Sequence, residues 1–213
     1  MNQLVLYYLV EYKVKMSDAT LIVGAMPRVI YNTATTLDGY LADDADSLSW
    51  LFAVPGADAA EDDFGGFLAT IGALVMGSTT YEWLLRHEDM LKNPDKWPYG
   101  ERLAVILTSR DLSPIPDARL RFHSGAVAEI WPELREAAGE KDVWIVGGGD
   151  LVGQFADAGL LDEVRVSVAP VTLGSGRPLL PRRLESDRLR LESVKQAGQF
   201  AELVYSVAAP SDA

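Results

Sequence analysis

The feature that most constrains this chain is a recurrence. Short apolar runs rich in β-branched residues each stop at glycine or a hydroxyl residue, as in "GALVMGSTTYEWLL", "RLAVILTSR" and "DVWIVGGGDLVGQFADAGL". Two of these pass directly into a segment with helical spacing. A strand that is apolar throughout and feeds a helix is buried on both faces, because βαβ crossovers lay helices over both sides of a parallel sheet. A strand over 28–36, a helix over 58–70 weakened by Gly65 and Gly66, a short strand over 120–123 and a helix over 127–138 continue the alternation. The class is therefore α/β with a mostly parallel central sheet. After Leu161 the pattern changes: "DEVRVSVAPVTLG", "LRLESVKQAG" and "FAELVYSVA" read as strands with no helices between them, which predicts antiparallel strands added at one edge. "TLDGYLAD" supplies Asp-Gly turn chemistry and a short extended piece, and "LGSGRPLLPRRL" reads as a long connecting loop inside one domain.

A length of 213 residues suits one domain with an extension. The patterned domain spans 28–213, and 1–27 is an N-terminal extension, with Met16 and Met26 as alternative starts and no signal-peptide pattern. A net charge of -12 opposes binding to nucleic acid, and no apolar run is long enough to span a bilayer. The absence of cysteine removes disulfides, thiolate metal sites and thiol nucleophiles and fits a cytoplasmic location, while His87 and His123 lack ligand-like spacing, so no metal site is expected.

The strand ends hold the candidate chemistry. Gly77-Ser78-Thr79-Thr80, Thr108-Ser109-Arg110 and Gly147-Gly148-Gly149-Asp150 follow separate strands. In an open parallel sheet ligands settle at the carboxyl ends of the strands, so these segments can converge on one crevice. Glycine permits close approach, helix-end N–H groups and hydroxyls bind phosphate oxygens, and Arg110 can pair with a further phosphate. The competing reading is that each is only a cap or a turn. Gly147, Gly149 and Gly153 are spaced one residue too wide for a Rossmann dinucleotide motif, and no Walker A lysine is present. Glu61, Asp62 and Asp63 fit solvated partners of a helix dipole, Asp38 an Asx-turn, and Trp50 a core position.

Taken in order, "TTLDGYLA", "LSWL", "ALVMGSTTYEWL", "VILTSR", "VWIVGGGDLVGQFADAGLLDEVRVSVAPVTLGSGRPLL" and "AELVYSV" resemble the dihydrofolate reductase-like superfamily. The likeness covers about 28–207 and is nearest to the reductase domain of bifunctional riboflavin-biosynthesis deaminase-reductases. It implies a three-layer α/β/α fold, NADPH as cofactor and hydride transfer to a small heterocycle or sugar carbonyl. By position, the resemblance puts Gly147, Gly148, Gly149, Asp150, Leu151 and Val152 along the cofactor and Gly77, Ser78, Thr79 and Thr80 at its other phosphates. Thr108, Ser109 and Arg110 fall near the adenosine 2′-phosphate, Ala34 and Asp38 near the nicotinamide, and Ser49 and Trp50 near the substrate. Arg177 is the candidate for a substrate phosphate, and Asp38 and then Asp63 are the candidate proton sources.

The chain departs from these relatives in places. Many have Gly-Arg-Lys-Thr where this chain has Gly77-Ser78-Thr79-Thr80, and the riboflavin-branch reductases tend to have an acidic residue at the position of Gly147. Ala169-Pro170 replaces the threonine-containing turn of dihydrofolate reductases. The expected activity is reduction of the ribosylamino group of a pyrimidine intermediate. The alternatives are a dihydrofolate or pterin reductase, a catalytically inactive nucleotide-binding protein, and an interaction protein that keeps only the fold. A homodimer paired through the C-terminal strands is also expected.

Overall fold

The structure is a computed structural model that describes residues 26–55, 61–87 and 89–210, with only the backbone of 61–63. Most of the expected N-terminal extension thus lies outside the described residues. Chain order is β1 (Val29–Thr36), β2 (Tyr40–Ala42), α1 (Ser49–Phe52), α2 (Glu61–Ala69), β3 (Ile71–Gly77), α3 (Ser78–His87), β4 (Leu103–Leu107) and β5 (Leu120–His123). It continues through α4 (Val127–Ala138), β6 (Asp142–Gly147), α5 (Gly149–Asp157), β7 (Glu163–Ala169), β8 (Arg177–Pro178), β9 (Leu189–Ala197) and β10 (Phe200–Val207).

An eight-stranded sheet runs in the order β5-β4-β3-β6-β1-β7-β10-β9, and β2 with β8 makes a separate two-stranded ribbon. The apolar runs sit in its centre because both of their faces are covered. Leu74, Met76, Trp144 and Val146 pack on one side against Leu51 of α1, Phe67 and Leu68 of α2 and Tyr81 and Leu84 of α3. Ala73, Val75, Val143 and Ile145 pack on the other against Ile130 and Leu134 of α4 and Val152 and Phe155 of α5. Successive strand residues thus feed opposite cores, as a period of two requires. The result is a three-layer α/β/α arrangement.

The late strands differ from the sequence expectation in one respect. β7 pairs parallel with β1, from Ile30 against Glu163 to Thr36 against Ala169. Crossing over the sheet through α5 returns the chain to the end from which β6 began, so β7 must share its direction. Only from β7 to β10 and from β10 to β9 is the pairing antiparallel. Among the sheet strands β10 alone is therefore reversed. Beyond the helices, Leu191 and Val194 of the edge strand β9 stay 50% and 63% exposed.

The amino-terminal end of β3 is held by a half-buried guanidinium. Arg102 donates to the carbonyls of Ile71 at 2.8 Å, Tyr99 at 3.0 Å and Leu68 at 3.1 Å, the last being an end carbonyl of α2. Burial pushes its pKa down, so the charge is kept at a desolvation cost that these carbonyls offset. Arg102→Met leaves three acceptors without their donor, and we expect a loss of ~2–3 kcal/mol of unfolding free energy in urea denaturation.

Candidate functional site

The sheet order puts a crevice between β3 and β6. These strands are parallel neighbours, with Met76 opposite Gly147, but their connections leave in opposite directions. From β3 the chain passes through α3 on one face to β4, and from β6 it passes through α5 on the other face to β7. Such a switch point opens a gap above the carboxyl ends of the strands, framed by the amino ends of two helices. A cleft of about 670 Å³ occupies this position.

Its floor and walls are largely the strand ends read from the sequence. Gly77 enters from the end of β3, Ser78, Thr79 and Thr80 from the start of α3, Gly148 from the position before α5, and Gly149, Asp150 and Leu151 from its first turn. The first N–H groups of each helix have no intrahelical partner, and the two positive dipole ends make this the most anion-receptive part of the cleft. Gly148 has φ -90° and ψ 176°, and a Cβ built on it meets no atom within 4 Å. The space beside this glycine is open cleft. Gly147, joined to Gly148 by a cis peptide bond, has φ +155°, a conformation that L side chains rarely adopt, and lies outside the lining.

Arg110 and Arg177 also line the cleft, each with a carboxylate partner. Arg110 is paired to Glu82 of α3, and Arg177 donates from Nε to Asp46 Oδ1 at 2.6 Å. Arg177 is thus already engaged by the loop after β2 and does not stand free to hold a substrate phosphate. Asp150 is half of another pair: Gln154 and Arg182 both donate to its carboxylate, which holds its pKa below the usual carboxylate value. The positive charge of Arg182 offsets part of the repulsion that this acid at a helix amino end would exert on an incoming anion.

Several residues named from the sequence lie away from the cleft. Ala34 and Val152 are buried in the two cores, 2% and 0% exposed. The Thr108 hydroxyl accepts the backbone N–H of Arg110 at 2.9 Å and so shapes the turn after β4, and neither it nor Ser109 reaches the lining. Ser49 and Trp50 belong to α1, where Trp50 is buried with its indole N–H unpartnered. Asp63 lies in α2, and its side chain falls outside the described residues.

Asp38 is bound within the fold. Its carboxylate accepts the Thr36 hydroxyl at 2.5 Å and the N–H groups of Leu173 at 3.0 Å and Gly174 at 2.7 Å. These donors, the Thr36 hydroxyl above all, hold its pKa down. A carboxyl held in its anionic form is a poor proton donor. It staples the turn after β1 to the 173–174 segment instead. A depressed folded-state pKa contributes stability above the unfolded value, lost as pH falls through the folded one. Asp38→Asn should therefore lower the urea midpoint at about pH 6, with a gap to the wild type that closes below about pH 4. A gap independent of pH would sink this assignment.

Other residues emerge only in three dimensions. Glu82, Trp83 and Arg86 line the cleft from α3, and Asp46 and Gln154 from elsewhere. The spacing of Thr79, Trp83 and Arg86 as i, i+4 and i+7 is the signal that could have found part of this wall, since such residues share a helix face. Tyr81 is buried on another side of α3. Its hydroxyl donates to the Ser113 carbonyl at 2.8 Å and accepts the Ile115 N–H at 3.1 Å, fixing the segment after Arg110, and burial pushes its pKa up to about 12. No group of three or more His, Asp or Glu side chains suited to a metal occurs among the described residues.

A sheet with this switch point and glycine turn invites comparison with known families. The RibD C-terminal domain matches residues 27–201. The chain belongs to that family. YwjB, an uncharacterized protein of Bacillus subtilis, is 29% identical over 178 residues, covering 84% of this chain and 97% of YwjB. The riboflavin biosynthesis protein RibD of Corynebacterium ammoniagenes is 28% identical over 172 residues, covering 74% of this chain but only 47% of that protein. Dihydrofolate reductase from Enterococcus faecalis, solved with NADP(H), superposes with a TM-score of 0.57 at 14% identity, covering 87% of this chain and 98% of that one. The fold is therefore dihydrofolate reductase-like, and the chain is a reductase-like domain of the RibD family. Among the described residues no helix is long and apolar enough to cross a membrane.

Proposed function

We propose that this domain is an NADPH-dependent reductase that transfers a hydride to a small heterocyclic substrate. The nearest chemistry is reduction of the ribosylamino group of a phosphorylated aminopyrimidine, the step attributed to the riboflavin-pathway reductases it resembles. The observation that carries the reading is the cleft between the amino ends of α3 and α5, with Gly148 facing open space where a side chain would intrude. That space, two helix amino ends and the hydroxyls of Ser78 and Thr79 suit a diphosphate, so the residues present fit such a cofactor. When bound, NADPH supplies the hydride.

The chain's own contribution is positioning. Gly148 and Gly149 admit close approach, Ser78, Thr79 and Thr80 offer hydroxyl and backbone donors, and the Arg177–Asp46 pair closes one side of the cleft. Holding donor and acceptor at near-attack distance accounts for a large rate gain without a protein acid, the proton that the reduction also consumes being taken from solvent. This agrees with the engagement of Asp38 as a structural anion.

The deciding experiment is titration of the purified protein with NADPH and with NADH, read by nicotinamide fluorescence and thermal shift. Saturable binding is then followed by NADPH oxidation assays with phosphorylated aminopyrimidines and with dihydropterins. A well-folded sample that binds neither nucleotide sinks the proposal. Binding without turnover of any candidate favours a nucleotide-binding protein that lacks catalysis.

A further inference from the structure

The first turn of α3 carries Ser78 and Thr79, so the cleft lacks a cation where its phosphate-facing helix begins. Charge enters farther along the same helix. Of the guanidinium groups in the lining, Arg177 is bound by Asp46 and Arg110 by Glu82. Arg86 also lines the cleft, is exposed, and has no ion pair or hydrogen bond among the described residues. It lies one turn beyond Trp83, whose ring is braced by stacking on His87 with centroids 4.3 Å apart.

The balance of these charges is informative. A diphosphate can be met by helix N–H groups alone, but a phosphate monoester carries close to two negative charges and is best met by a cation with free donors. Arg110 must share its donors with Glu82, whose carboxylate repels an approaching dianion. Arg86 has no such competitor.

We propose that Arg86 is the specificity-determining residue for the extra phosphate monoester on the adenosine ribose of the nucleotide, with Glu82 restraining Arg110 to a weaker second contact. The inference rests on the reading of the cleft as a dinucleotide site. An ordinary explanation for Arg86 exists, since a cation in the last turn of a helix is favoured by the dipole. That explanation predicts a small change in stability and none in nucleotide preference.

The test compares Kd values for NADPH and NADH at fixed ionic strength in the wild type, Arg86→Gln, Arg86→Lys and Glu82→Gln. Arg86 is exposed, so its substitution leaves the core intact. We expect Arg86→Gln to weaken NADPH about tenfold or more while NADH changes less than about twofold, as loss of one charge-assisted contact to phosphate implies. Arg86→Lys should recover much of that loss. Glu82→Gln should tighten NADPH by about threefold, because it frees Arg110 and removes a repelling charge. Equal weakening of both nucleotides in Arg86→Gln, or no weakening, overturns the assignment of Arg86 and leaves the nucleotide cleft standing. A wild type that binds NADPH and NADH equally does the same. A wild type that binds neither overturns the nucleotide cleft and this inference with it.

Discussion

Gly148→Val should weaken nucleotide binding by about two orders of magnitude and leave the protein folded. Backbone dihedrals of φ -90° and ψ 176° are extended values that valine adopts readily, and a Cβ there meets nothing within 4 Å. The side chain therefore enters the cleft and not the core. It occupies the approach to the amino end of α5, where phosphate oxygens must come within hydrogen-bond distance of backbone N–H groups. We expect Kd for NADPH to rise about 100-fold, near 2.7 kcal/mol, with the thermal midpoint moving by only a few degrees. The measurement is a fluorescence titration beside a thermal melt. Undiminished binding by the folded variant would place the nucleotide elsewhere.

One residue later the outcome should invert. A Cβ on Gly149 lies 2.3 Å from the Pro178 carbonyl oxygen and 2.6 Å from that of Leu179. Both are backbone atoms and cannot rotate aside, so Gly149→Ala must push α5 away from the segment that continues β8. That segment is tied down: Leu179 donates its N–H to the Gly39 carbonyl at 2.9 Å and accepts the Tyr31 hydroxyl at 3.2 Å. Forcing one methyl into such a contact costs about 2–4 kcal/mol, which for a domain of this size lowers the thermal midpoint by roughly 5–15 °C. An unchanged midpoint would show that the helix and this segment are not in contact. Pro178 also lines the cleft, so we further expect weaker nucleotide binding in whatever fraction stays folded.

Much of the candidate site was legible because it follows from local rules. Gly77 to Thr80 and Gly148 to Leu151 sit where a buried strand meets a helix, and both the strand pattern and the glycine turn are written in consecutive residues. Where the other named residues lie depends on which way a side chain faces and on what it meets. Ala34 and Val152 belong to the right elements but point into the cores. Asp38 and Arg177 have the right chemistry, but segments far along the chain claim it: Leu173 and Gly174 hold Asp38, and Asp46 holds Arg177.

The sequence by itself determined the alternation of strands and helices, the boundaries of most of them, and the family, because apolar periodicity and turn residues act over a few positions. Only the tertiary structure decided that β7 lies parallel to β1, that β3 and β6 become neighbours at the switch point, and which glycine of the triplet faces the cleft. Gly148 and Gly149 are the same residue in sequence. They differ because the 178–179 backbone, about thirty positions further on, packs against one and leaves the other open.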